Sequence, residues 1–165
     1  MLNNKFVTVR KWTFFVRHRT IFYQGVLRTG IMVELKAELD FTQAYLHILR
    51  ERFEDALIAD IQIPAAYYNK KIPPSTLQLL IENAVKHNVA TIETPLRIRI
   101  FVDGADRLVV SNSLQRKTVA NESPGTGTGL SNIRERYRIL TGSDISIKEE
   151  ADGFSVSVFL LDSRS

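Results

Sequence analysis

The sequence lacks cysteine entirely and contains only three histidines in 165 residues. Without cysteine, neither a disulfide framework nor a metal site built on thiolates is possible. The histidines are spread along the chain, which argues against a structural zinc site. No apolar run reaches the ~18 residues that a membrane span needs, and no signal peptide is evident. The chain as given is therefore expected to be cytosolic.

What is present is the composition of an ordinary globular protein, with 44% hydrophobic and 24% charged residues. Much of the formal charge of +4 comes from the N-terminal stretch "VRKWTFFVRHRT". Basic residues interleaved with aromatics can bind nucleic acid. A solvated helix face whose aromatic side chains pack inward explains the same pattern more simply. We therefore expect no nucleic-acid partner.

Hydrophobic spacing predicts a definite order of elements. Residues 12–28 have rough helical spacing, and residues 34–53 carry a 4-3-4-3-4 apolar stripe typical of a coiled-coil or bundle seam. Alternation predicts strands in "LIADIQI" and "LRIRIFV", the latter turning at "DGADR" into "LVVSN". Further helices are predicted after "KIPP" and in "GLSNIRERYRILTG", followed by a hairpin formed by "DISIKEE" and "FSVSVFLL".

This order is two helices followed by β-α-β-β-loop-α-β-β. Paired strands with helices between them predict an α/β (α+β) fold, a two-layer sandwich with helices on one face of a mixed sheet. We expect residues 1–53 to form a helical segment and residues 54–165 to form the sandwich. The sequence contains no internal repeat and no low-complexity segment.

One predicted helix has an unusual polar face within "LLIENAVKHN". On a helical wheel the apolar residues of this helix occupy one arc, and four polar residues share the opposite one: Glu82, Asn83, Lys86 and His87. Taken alone, this pattern is also typical of a surface helix with a solvated Glu82–Lys86 pair.

A second unusual feature is the loop "SPGTGTGLSNIRERY", in which Gly125, Gly127 and Gly129 precede a helix. Closely spaced glycines let backbone N–H groups approach an anion, and the helix N-terminus adds a favourable dipole. The loop lacks the lysine and serine that end a P-loop. A flexible surface loop is the alternative interpretation.

Together these two elements resemble the N box and second glycine box of the GHKL (Bergerat) ATP-binding fold, which includes histidine kinases and gyrase-type ATPases. The stretches "ELKAELDFTQAYLHILRERF", "IPPSTLQLLIENAVKHN" and "GTGLSNIRERYRILTG" look like the C-terminal part of sensor histidine kinases of the LytS/YehU type. This resemblance covers about residues 33–160. It implies a GHKL catalytic domain in residues 54–165, preceded by the remnant of a dimerisation region and a connecting helix in residues 1–53.

The resemblance implies ATP and Mg2+ as cofactors and a role for particular residues. Asn83 matches the asparagine that binds the magnesium ion bridging the ATP phosphates, and its amide oxygen is a suitable hard ligand. We expect Glu82 and Lys86 to act as catalytic residues, and Lys86 also matches a basic cofactor-binding residue beside the phosphates. His87 and Asn88, at the polar end of the N box, are also expected to bind the cofactor. Asn112 can meet the adenine edge. The lid residues are Gly125, Gly127, Gly129 and Leu130.

Two departures from the family pattern stand out. The first glycine box has become "VVSNSLQRK", which keeps Asn112 but has no glycine. Leu79 lies four residues before Asn83, where the hydrolytic relatives carry the glutamate that activates water. Because leucine cannot accept a proton, this residue disfavours hydrolysis and fits a kinase, in which an imidazole attacks the γ-phosphate.

The family's phosphorylated histidine lies in an "HFLFN"-like stretch that this sequence does not contain. His18 and His47 lack those neighbours, so the chain alone is not expected to phosphorylate itself.

The resemblance implies the Mg-ATP-binding catalytic domain of a two-component sensor histidine kinase that phosphorylates a histidine outside this chain. It also implies a response regulator as partner, and a homodimeric full-length protein held in the inner membrane by a region outside this sequence. The alternatives are a non-catalytic nucleotide-binding regulatory module and a non-enzymatic interaction protein that uses the basic N-terminal helix.

Overall fold

The computed structural model describes residues 32–116 and 128–162. The predicted helix over residues 12–28, His18, Gly125 and Gly127 lie outside these ranges. The described helices are α1 (Leu35–Phe53), α2 (Thr76–His87) and α3 (Thr128–Thr141). The described strands are β1 (Val33–Glu34), β2 (Leu57–Gln62), β3 (Lys71–Ile72), β4 (Leu96–Val102), β5 (Arg107–Ser113), β6 (Ser146–Glu149) and β7 (Gly153–Phe159).

Five of the strands form one mixed sheet in the order β2-β4-β5-β7-β6. Strand β2 runs parallel to β4, and the other neighbouring pairs are antiparallel. The remaining two strands form a small antiparallel pair, in which Val33 lies opposite Ile72. The predicted two-layer α+β arrangement is confirmed. The two-residue strands β1 and β3 were not predicted, because they are too short to show alternation.

The larger sheet is apolar on the face that the helices cover. Alternate residues of the central strands are buried there, as strand geometry requires: Ile98, Ile100, Leu108, Val110, Val156 and Val158. From α3, Ile133 and Tyr137 join the same core. Gly142 closes α3 as predicted, since it adopts a left-handed conformation with φ of 69° and its N–H donates to the Arg138 carbonyl. Among the described residues, no helix is long and apolar enough to cross a bilayer.

The apolar stripe of α1 packs within this unit. Leu35, Leu39, Leu46 and Leu49 are buried and belong to the same core cluster as the sheet and α2. The predicted helix over residues 34–53 is therefore confirmed, and its seam contributes to the sandwich core. The division between residues 1–53 and 54–165 stays a prediction. His47 is exposed and lies off this stripe.

The N-terminus of α2 is capped by a side chain from α1. Glu38 is only 3% exposed, and its carboxylate accepts hydrogen bonds from the backbone N–H of Ser75 at 2.8 Å and of Leu77 at 3.4 Å. No side chain of the local sequence caps the helix, and Ser75 itself has a φ of 62°. A carboxylate at this position satisfies N–H groups that the helix leaves unpaired and complements its dipole.

Two neighbours complete this junction. The Thr76 hydroxyl donates to the Pro73 carbonyl at 2.6 Å, which fixes the turn before the helix. Arg136 of α3 donates to the Pro74 carbonyl at 3.4 Å. Burial lowers the pKa of the Arg136 guanidinium, and the charge of Glu38 opposes that shift. All three helices therefore meet at the start of α2.

Replacement of Glu38 by alanine should destabilise the protein. The two N–H groups would remain buried without an acceptor, which costs about 1–3 kcal/mol for an unsatisfied buried group. Glu38→Gln should lose less, since it keeps one acceptor oxygen and nearly the same volume. Urea unfolding measures the free energy of unfolding of both variants.

The matched control is Glu51→Ala, which removes an exposed glutamate from the same helix. It should leave the free energy of unfolding almost unchanged. Equal effects of Glu38→Ala and Glu51→Ala would contradict the capping role of Glu38.

Candidate functional site

A cleft of about 450 Å³ lies between α2, the start of α3 and the adjacent ends of β5, β6 and β7. All four predicted polar residues of α2 line it: Glu82, Asn83, Lys86 and His87. Glu82 and Asn83 are half-buried, whereas Lys86 and His87 are exposed. The opposite arc of α2 is buried in the core, so the helical-wheel prediction for this helix is confirmed.

The carboxylate of Glu82 is held by neighbouring side chains. Gln78, one turn earlier and only 2% exposed, donates from Nε2 to Glu82 Oε1 at 2.8 Å. Burial raises the pKa of Tyr45 on α1, and the negative charge of Glu82 raises it further. Helix α1 therefore comes close to Glu82 through Tyr45. No pattern in the sequence indicates the role of Gln78, which lies on neither arc of the predicted helical wheel.

Asn88 lines the cleft, but its side-chain amide is engaged with the backbone. Its Nδ2 donates to the Ala84 carbonyl at 2.8 Å, and its Oδ1 accepts from the Gln115 N–H at 2.7 Å. The Val89 N–H donates to the Gln115 carbonyl at 2.7 Å. These bonds join the end of α2 to the segment after β5. Nucleotide contact by Asn88 stays a prediction, whereas its structural role was missed.

The floor of the cleft is a row of side chains across three strands. Asn112 of β5 lies opposite Phe154 of β7, which in turn lies opposite Glu149 of β6. Asn112 is only 7% exposed, and its Nδ2 donates to the Ser113 carbonyl at 2.7 Å. This hydrogen bond leaves the amide oxygen to accept from a ligand. Phe154 and Leu114 supply apolar surface that the sequence analysis had not assigned to the site.

An ion pair closes one side of the cleft. Arg116 and Glu149 both line it, and the guanidinium of Arg116 contacts the carboxylate of Glu149. Both side chains are largely exposed, so the pair adds little stability. It does place two charges at the rim, and Arg116 belongs to the stretch "VVSNSLQRK" that corresponds to the first glycine box of the GHKL fold.

Helix α3 forms the wall opposite α2. Gly129 and Leu130 line the cleft as predicted, and so does Asn132, which the sequence analysis did not identify. Asn132 lies three residues after Gly129 and therefore on the same side of the helix. This spacing in the sequence could have predicted that Asn132 lines the cleft. Among the described residues, no atom lies within 4 Å of the position that a Cβ on Gly129 would occupy.

The donor set limits what the cleft can bind. In the described part of the chain, no three histidine or carboxylate side chains are grouped closely enough to hold a metal ion. A hard cation at the Asn83 amide oxygen would therefore take its remaining ligands from a bound anion and water. An apolar floor beside amide groups, with lysine and histidine on the wall, suits a planar ring carrying an anionic group.

The chain is similar to curated sensor proteins in sequence and to solved histidine kinase structures in fold. No protein-family model matches the chain. The sensor protein LytS of Oceanobacillus iheyensis is 29% identical over 150 residues, covering 81% of this chain and 26% of LytS. The sensor histidine kinase BtsS of Escherichia coli strain K12 is 30% identical over 142 residues, covering 82% of this chain and 25% of BtsS. The chain thus spans about a quarter of the length of these curated relatives.

Solved structures with the same fold are histidine kinase domains. The cytoplasmic segment of the histidine kinase QseC superimposes with a TM-score of 0.54 at 15% identity, covering 81% of this chain and 78% of that one. The catalytic domain of the histidine kinase ThkA superimposes with a TM-score of 0.51 at 15% identity, covering 78% and 95%. The chain is therefore a relative of the LytS and BtsS sensor histidine kinases, and its fold is that of the GHKL catalytic domain of histidine kinases.

Proposed function

We propose that this chain binds Mg-ATP in the cleft and donates the γ-phosphoryl group to a histidine on a separate segment. It would thereby act as the catalytic domain of a two-component sensor histidine kinase. The observation that carries the proposal is the convergence of Asn83 and Lys86 on α2, Asn112 on β5 and Leu130 on α3 around one cleft. The three elements are distant in sequence, and the resemblance to the GHKL fold assigns these residues to nucleotide binding.

The adenine base would lie on the floor of the cleft. Phe154 and Leu114 offer the apolar contact that a purine ring needs, and the Asn112 amide oxygen can accept from its exocyclic amino group. Because Asn112 is buried and tied to the strand through the Ser113 carbonyl, its orientation is fixed before the base binds. Such preorganisation reduces the entropy lost on binding.

The phosphates would lie along the polar face of α2. The Asn83 amide oxygen would bind a magnesium ion whose other ligands are phosphate oxygens and water. Lys86 lies three residues further along α2 and also lines the cleft. It would add positive charge beside the same phosphates. His87, Asn88, Gly125, Gly127 and Gly129 are proposed to border the phosphates and the lid.

Two features favour transfer to an imidazole over hydrolysis. Leu79 is half-buried and lines the cleft, so the residue four before Asn83 offers no proton acceptor to a water molecule. Glu82 does carry a carboxylate, but the Gln78 amide holds it at 2.8 Å. We propose that the Glu82 carboxylate interacts with the incoming imidazole. The Lys86 ammonium would interact with the γ-phosphate.

The same proposal also concerns the full-length protein and its partner protein. Because the relatives are sensor kinases of about four times this length, a response regulator and a dimeric full-length protein are expected. The alternative of a non-catalytic nucleotide-binding module has one observation in its favour. Arg116, which pairs with Glu149 at the rim, lies in the stretch where family members carry glycines.

Replacement of Asn83 by alanine should abolish the magnesium dependence of ATP binding. Asn83 is half-buried and outside the core cluster, so the fold should survive its loss. We expect the affinity for Mg-ATP to fall at least about tenfold, which corresponds to about 1.4 kcal/mol. Isothermal calorimetry with Mg-ATP, and with ATP plus EDTA, measures the effect.

Asn83→Asp provides the matched control, because it keeps a hard oxygen ligand at the same position. It should retain magnesium-dependent binding. Unchanged Mg-ATP affinity in a folded Asn83→Ala variant would remove Asn83 from the site and the proposed function with it.

Replacement of Leu79 by glutamate should raise ATP hydrolysis without a comparable gain in affinity. The new carboxylate would lie where a water molecule near the γ-phosphate could lose its proton, whereas the unmodified chain should release phosphate negligibly. Steady-state phosphate release compares the two proteins, with Leu79→Gln as a control of similar size that is a weak base. Brisk hydrolysis by the unmodified chain, lost on Glu82→Gln, would show that Glu82 has the deciding role.

A further inference from the structure

The face of the five-stranded sheet that points away from the helices is rich in cations. Arg97 and Arg99 of β4 and Lys148 of β6 are exposed on it, and Arg107 of β5 is half-buried there. Their neighbours in sequence, such as Ile98, Ile100 and Ile147, point the opposite way toward the core. We call this surface the outer face. It lies on the opposite side of the sheet from the nucleotide cleft.

The centre of the outer face is floored by serines. In one row across the sheet, Arg99 lies opposite Ser111, Ser111 opposite Ser155, and Ser155 opposite Lys148. In the next row Val109, which is only 9% exposed, lies opposite Ser157, and Ser157 lies opposite Ser146. The small side chains leave a trough above β5 and β7, bounded by the long arginines of β4 on one side and by Lys148 on the other.

The width of this trough suits one α-helix. Arg99 and Lys148 are three strand spacings apart, or about 14 Å at the usual separation of paired strands. An α-helix with its side chains is about 10–12 Å across. A helix that lies along β5 and β7 could therefore present side chains to both cationic walls while its underside rests on the serine hydroxyls.

The charge of the outer face is poorly balanced within the described part of the chain. The exposed carboxylate of Asp60 on β2 also lies on this face, opposite Arg99 of β4, and accepts a hydrogen bond from Gln62 at 2.7 Å. The ion pairs formed among the described residues involve other lysines and arginines: Lys36, Lys70, Lys71, Arg116 and Arg134. The four cations of the outer face thus favour an acidic partner.

Two other kinds of anionic partner fit the outer face less well. The aromatic rings that could stack on bases are covered, since Arg99 lies 5.4 Å from the ring centre of Phe101 and Arg107 lies 4.2 Å from that of Phe159. A base of a single-stranded nucleic acid would have to displace an arginine before it could stack on the ring face that the arginine covers. Sheet strands also rotate by about 20–25° from one to the next, so a planar membrane could not contact β4 and β6 equally.

We propose that the outer face is a docking surface for an acidic α-helix of another protein, which lies in the serine-floored trough between Arg99 and Lys148. The surface is independent of the nucleotide cleft. Docking there leaves the cleft open, so a partner bound on the outer face can remain attached while the nucleotide exchanges.

The probe is a synthetic alanine-based helical peptide with glutamates along two opposite edges of one face, labelled for fluorescence anisotropy. The unmodified chain should bind it, and Arg99→Glu or Lys148→Glu should each weaken binding by about tenfold. Arg138→Glu makes the same charge change on the exposed side of α3 and should alter the affinity less than about threefold. Unchanged Mg-ATP affinity and thermal unfolding show that each variant is folded.

A second pair of variants tests the shape of the trough without any change of charge. Ser155→Phe should block the peptide, whereas Ser155→Ala should bind it as well as the unmodified chain. The proposal is overturned if the helical peptide does not bind, or if a proline-containing peptide of the same charge binds equally well. It is equally overturned if Ser155→Phe has no effect, or if single-stranded DNA or phosphatidylserine vesicles bind more tightly through Arg99 and Lys148.

Discussion

The burial of Glu38 at the start of α2 is the contact on which the position of the cleft wall depends. Its carboxylate accepts from the Ser75 and Leu77 N–H groups, so a helix with no cap of its own begins at a fixed place on α1. At the other end, Asn88 ties α2 to the segment after β5. Because α2 is held at both ends, its polar residues are aimed into one cleft and its apolar residues into the core.

This arrangement connects α1 with two parts of α2 as well as with the core. Glu38 caps the N-terminus of α2, and Tyr45 lies two turns further along α1, close enough for the charge of Glu82 to raise its pKa further above the ordinary value. A displacement of α1 would therefore reach both the cap of α2 and the surroundings of Glu82.

The sequence predicted the parts of the fold that rest on long repeating patterns. The α1 stripe, the two arcs of α2 and the alternation of β4 extend over enough residues to be unambiguous. It did not predict contacts made across the fold. Glu38 looks like a surface residue of a seam helix, and Asn88 looks like the polar end of a motif, yet both bind backbone groups far away in sequence. The sequence predicts only a strand at Phe154, because no local pattern shows that Phe154 lies opposite Asn112 in the sheet.

The proposed reaction is the transfer of a phosphoryl group from ATP in the cleft to a histidine outside this chain. It is tested by incubation of the chain with γ-labelled Mg-ATP and a separately produced histidine-bearing dimerisation segment of a BtsS-type relative. We expect acid-labile label on that segment and none on this chain, with the label lost in Asn83→Ala. Label on His47 or His87 of this chain, or bound Mg-ATP with no transfer at all, would contradict it.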